Sequence, residues 1–198
     1  METNAKTMKH TFYKSSFIYF FITSIVLGAL FVSYLGGSAV AQSMDTQGWC
    51  FYVTACMSWA AVFALFPYIL STLLYVISRR ERVAATTQVV LTIVLMAYFL
   101  IDGMIYAQYR FHINGFVLDM LFSEGAGDIF QFNASIYLKL IAAFAVLVLA
   151  AYGLWAGCKR IACKWHSAAT WSASLLLVAA LLFSNGFHAY AAVVKIPS

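Results

Sequence analysis

Val83–Tyr106 reads VAATTQVVLTIVLMAYFLIDGMIY, and the nineteen residues from Val83 to Ile101 carry no charge. Coiled as a helix at 1.5 Å per residue, such a run spans about 28 Å, enough to cross the hydrocarbon of a bilayer. Barrel strands alternate in polarity and are about half that length, so the run decides for a helical membrane protein. Charge marks both of its ends. Arg79-Arg80-Glu81-Arg82 precedes it, and Asp102 and Arg110 close it.

Similar runs lie on either side. Phe17–Leu35 is apolar and uncharged, Trp49–Ser78 is long and holds Pro67, and Ala134–Ala156 carries Lys139 near its start and Gly153-x-x-x-Gly157 near its end. Ala168–Phe187 completes the set. Five transmembrane helices are therefore expected, at 17–35, 49–78, 83–106, 134–156 and 168–187, in one all-α polytopic domain. Pro67 removes a backbone donor and predicts a kink, and the glycine pair has the spacing that seats a second helix closely. Ala39-Val40-Ala41 has the spacing of a signal-peptide cleavage site. The preceding run is longer than a signal core, however, which favours a retained first helix.

Composition agrees. The 198 residues are 64% hydrophobic and 10% charged, with a mean hydropathy of +0.86, far above the needs of a soluble core. The net charge of +5 does not point to nucleic acid, because the basic residues form short clusters beside apolar runs. Lys6, Lys9 and Lys14, then Arg79, Arg80 and Arg82, then Lys159, Arg160 and Lys164 fall on one side of the predicted bundle; Arg110, Lys139 and Lys195 fall on the other. Nine against three predicts a cytoplasmic N-terminus and a periplasmic C-terminus. Cys158, Cys163 and His166 make half a zinc-like string at most, and Cys50 and Cys56, six apart on one helix, cannot pair. No nucleophile elbow, metalloprotease helix or phosphate loop is present, and neither enzyme activity nor a cofactor or metal is expected.

The polar groups concentrate between helices three and four. Asp102–Phe132 holds four of the seven acidic residues, together with Arg110, His112 and Asn114. A carboxylate below the membrane surface needs a partner. Tyr106 and Arg110 follow Asp102 at i+4 and i+8, and Lys139 lies at a matching depth on the antiparallel neighbour. Phe116–Phe122, apolar except for Asp119, predicts a short interfacial helix. Arg79, Arg80 and Arg82 with Lys159, Arg160 and Lys164 are candidates to bind an anionic lipid head group if their turns meet, and Arg110, His112 and Asn114 are candidates on the opposite rim.

Leu100-Ile101-Asp102, then Tyr109-Arg110-Phe111-His112-Ile113-Asn114-Gly115, a short apolar helix and a polar loop resemble the N-terminal membrane domain of YejM/PbgA-type sulfatase-like proteins of the bacterial inner membrane. The detailed likeness covers Leu95–Tyr137. It implies a membrane anchor for a periplasmic hydrolase-like domain, with a role in envelope lipid homeostasis through cardiolipin or lipopolysaccharide. The sulfatase-like metal ligands and nucleophile lie outside this sequence, so the chain is expected to be the membrane module of a longer protein. It would contact lipid, and a membrane-protein partner is a further expectation. The alternative is a small transporter or channel subunit working through Asp102.

Overall fold

The computed structural model describes residues 2–36, 38–121, 123, 134–164 and isolated positions from 172 to 193. Among these, all regular structure is helical. The elements are α1 (Glu2–Ser33), α2 (Ala39–Ser43), α3 (Thr46–Ser78), α4 (Glu81–Tyr109), α5 (Gly115–Leu121) and α6 (Ala134–Lys164). Four segments, Thr11–Ser33, Thr46–Ser78, Glu81–Ala107 and Leu140–Lys164, are long and apolar enough to cross a membrane. The protein is an all-α, multi-pass membrane protein. The expected helix at 168–187 falls mostly outside the described residues.

Helix boundaries shift outward from those expected. α1 begins at Glu2 rather than Phe17, because polar residues before an apolar run propagate a helix that is already nucleated. α6 runs on to Lys164, past its expected end at Ala156 and into the basic segment Cys158–His166, expected as a turn. Nothing there breaks the helix, since Lys and Arg are good helix formers. α3 starts at the Asp45 N-cap, whose carboxylate accepts the Gly48 N–H at 2.8 Å, and runs without interruption through buried Pro67.

α1 is the hub. It packs along α3, α6 and α4, most extensively α3. Small residues allow this approach: Ala60, Ala61 and Ala64 of α3 are buried, and a Cβ at Gly28 of α1 would lie 2.2 Å from the Met57 sulfur. The other glycine pair does not behave this way, as a Cβ at Gly153 or Gly157 meets nothing among the described residues. At one end, called here the Arg79 end, Phe12 stacks on Tyr75 with centroids 4.1 Å apart, beside Ala84, Ala85 and Trp155. Toward the other, the Asp102 end, Leu27, Ala60, Met96 and Phe99 form the core.

One polar network ties three helices inside this apolar bundle. Fully buried Gln88 of α4 accepts from Ser16 Oγ of α1 at 2.6 Å and from Ser71 Oγ of α3 at 3.2 Å. Its amide donates to the Ser16 carbonyl at 3.1 Å. A buried primary amide in lipid must find such partners, so Gln88 fixes the mutual register of α1, α3 and α4. Farther along α3, Ser58 Oγ donates to Asn185 Oδ1 at 2.5 Å, pinning the helical positions 185–187 of the C-terminal segment to the bundle.

Candidate functional site at the Asp102 end

α4 stops at Tyr109 because Arg110 adopts the left-handed conformation, φ 62° and ψ 24°, while its N–H still bonds the Tyr106 carbonyl at 2.9 Å. For a residue other than glycine that conformation costs about 1 kcal/mol, and it turns the chain back over the last turns of the helix. Two contacts follow. The Ile113 N–H donates to Asp102 Oδ1 at 2.7 Å, and His112 Nδ1 meets Asp102 Oδ2 at 2.8 Å. Asp102 is 4% exposed and is the one charged side chain buried among the described residues. A carboxylate accepts at both oxygens, so Nδ1 carries the hydrogen of that bond and Nε2 is left unengaged by Asp102.

An aromatic stack leans on this pair. His112 lies on Tyr106 with centroids 4.5 Å apart and planes 15° apart, and Tyr34 at the end of α1 lies 6.0 Å from Tyr106. The Arg110 guanidinium sits 5.9 Å from the centre of the Tyr106 ring. Two phenols are tied down as donors: Tyr34 to the Phe99 carbonyl at 2.5 Å and Tyr52 to the Phe31 carbonyl at 2.8 Å. Burial, and then the Asp102 carboxylate, push the Tyr34 phenol above its ordinary range. Gly103 makes room for the Tyr34 ring, since a Cβ there would lie 2.7 Å from its Cε1.

Between α1, α3 and α4 these residues line an open-sided cavity of about 520 Å³. Asp102 and His112 form its polar wall, and seven phenylalanine, tyrosine and tryptophan rings, Trp59 among them, form most of the rest. The volume falls within the range of small-molecule pockets.

The sequence candidates divide as follows. Asp102, Tyr106 and His112 come together, with Arg110 at the edge of the stack. Asn114 is exposed, and its carbonyl accepts the Leu118 N–H at the start of α5. The Lys139 side chain, and its expected pairing with Asp102, lie outside the described residues. Tyr34, Tyr52 and Trp59 did not stand out in the sequence. Their only signal is an excess of aromatic residues near the ends of the first two apolar runs. At the Arg79 end the two basic segments meet, with Lys159 Nζ 2.5 Å from Glu81 Oε1. Arg80, Glu81, Arg82 and Lys159 line a cleft of about 550 Å³ there, while Arg79, Arg160 and Lys164 are exposed beside it. No group of three or more metal-ligating side chains forms among the described residues, and His166 of the zinc-like string lies outside them.

The Asp102–His112 contact makes a quantitative prediction. With the His112 side chain 57% exposed, solvent screening limits the pair, and a double-mutant cycle of Asp102→Asn and His112→Ala is expected to give a coupling of about 1 kcal/mol in thermal unfolding. Strict additivity would mean that the imidazole does not hold the carboxylate.

No curated protein and no solved structure matches this chain. A family model does, over residues 2–196. That match takes in all four membrane-crossing segments and the Asp102 site: the chain belongs to the family described as a domain of unknown function, DUF3413.

Proposed function

We propose that the chain is an inner-membrane anchoring and lipid-binding module of a sulfatase-like envelope protein of the YejM/PbgA type, oriented with its Arg79 end in the cytoplasm. The observation that carries the lipid reading is the meeting of the two basic segments across the Lys159–Glu81 ion pair, which borders a cleft holding Arg80 and Arg82. Clustered cations at a membrane rim suit the phosphates of cardiolipin or another anionic lipid, including lipopolysaccharide. In this reading any catalysis belongs to a periplasmic domain beyond the chain. A transporter would need a polar file through the bundle. Instead, Ser15, Thr23 and Ser24 spend their hydroxyls on carbonyls of their own helix, which favours the anchor.

The test is native mass spectrometry of the purified protein. Replacing Arg79, Arg80 and Arg82 with glutamine is expected to reduce retention of cardiolipin relative to phosphatidylglycerol several-fold. Replacing Lys159, Arg160 and Lys164 is expected to do the same. An unchanged ratio in both variants would reduce the clusters to an orientation signal. That orientation is checked separately by thiol labelling: in intact spheroplasts a cysteine placed at Ser43 is expected to react with an impermeant reagent while Cys163, exposed at the Arg79 end, stays unlabelled. Labelling of Cys163 would invert the topology.

A further inference from the structure

We propose that the cavity at the Asp102 end binds the ammonium head of a zwitterionic amine lipid, phosphatidylethanolamine in class, with Arg110 receiving its phosphate. The proposal rests on the reading of the chain as a lipid-binding module but uses the opposite end from the basic cleft.

The sign of the wall selects a cation. Of the polar groups on the cavity wall, the Asp102 carboxylate accepts only, and the Tyr34 and Tyr52 hydroxyls have already spent their hydrogens on the Phe99 and Phe31 carbonyls. The other polar groups on the wall are the Tyr106 hydroxyl, the Trp59 indole N–H, the Cys56 thiol and His112, which is held by Asp102, and the rest of the lining is mostly aromatic ring faces. No lysine or arginine is among the lining residues. The buried Asp102 carboxylate disfavours an anion and gives an alkyl chain nothing to set against it, whereas an ammonium group exchanges its hydration for a carboxylate and ring faces. Asp102 has the capacity, because a carboxylate offers about four acceptor positions and the Ile113 N–H and His112 take one each.

Arg110 supplies the second half of a zwitterion. It is exposed, it lies over the Tyr106 ring that lines the cavity, and no carboxylate is within ion-pair distance of it among the described residues. A guanidinium so placed suits a phosphate. Ammonium and phosphate a few ångströms apart on one head group match a carboxylate inside the cavity and a guanidinium at its edge.

The deciding experiment changes the lipid rather than the protein. Native mass spectrometry of the full chain is run with phosphatidylethanolamine, with the same lipid N-acetylated so that its amine carries no charge, and with phosphatidylglycerol. The unmodified protein is expected to retain the amine lipid roughly tenfold better than either of the others. Asp102→Asn and Tyr106→Leu are each expected to erase that preference, and Arg110→Gln to weaken retention of all three lipids. Equal retention of the free and N-acetylated amines by the unmodified protein overturns the proposal, as does a preference that survives Asp102→Asn. The cardiolipin ratio is read through arginines and lysines at the other end, so failure there and failure here are separate results.

Discussion

Replacing Gly103 with valine is expected to lower the stability of the protein by about 3 kcal/mol and to open the aromatic cavity. Even alanine would set its Cβ 2.7 Å from Cε1 and 3.2 Å from Cζ of Tyr34. The ring can move only into the cavity it lines, and only by breaking its hydroxyl bond to the Phe99 carbonyl and its stack near Tyr106. Overpacking of this kind costs about 1–3 kcal/mol, and displacing the ring adds about 1 kcal/mol for the lost hydrogen bond. A melting curve in detergent measures the loss, and a Tyr34→Leu background should remove most of it, because the two substitutions act on one contact. Gly28→Ala is the useful contrast. There the obstructing atom is the Met57 thioether, which adapts, so a smaller loss is expected. A Gly103→Val protein that melts with the unmodified one would mean that Tyr34 does not rest on α4.

The second large effect is expected at Gln88. Gln88→Ala removes a fully buried side chain and all three of its hydrogen bonds to Ser16 and Ser71, leaving a cavity where three helices meet. About 2–4 kcal/mol is expected from the lost volume and contacts together. Gln88→Leu refills the space without the bonds and is expected to cost about 1 kcal/mol, the scale of interhelix hydrogen bonds in membranes. Thermal unfolding of the two variants separates packing from polarity. If leucine costs as much as alanine, the network rather than the volume sets the register.

The helices were legible because lipid makes hydrophobic length the dominant signal: nineteen uncharged residues before Asp102 leave little choice. Their junctions were less so. That Asp102 needs a partner follows from its depth, yet His112 becomes that partner only through the left-handed turn at Arg110, and arginine carries no propensity that announces such a turn. Along the helix face the nearest candidates are Tyr106 and Arg110; Tyr106 supports the imidazole and Arg110 lies over the ring. The aromatic wall was hidden for another reason. Tyr34, Tyr52 and Trp59 reach the site from two other helices, and no local spacing links them to Asp102. Nor does any local spacing link Ser16 to Gln88, which it bonds seventy-two positions away.

The central place of α1 bears on the order of synthesis. α1 leaves the ribosome ahead of α3, α4 and α6, which later pack on it, so it must wait in lipid before those neighbours exist. Its sequence suits that wait. Ser15, Thr23 and Ser24 satisfy themselves on carbonyls three or four residues back and need no other chain. Ser16 instead looks outward, to Gln88 on α4, which emerges later. Cleavage after Ala41 would discard Phe12, Tyr19 and Leu27, all completely buried in the finished bundle, and with them the template on which the later helices assemble.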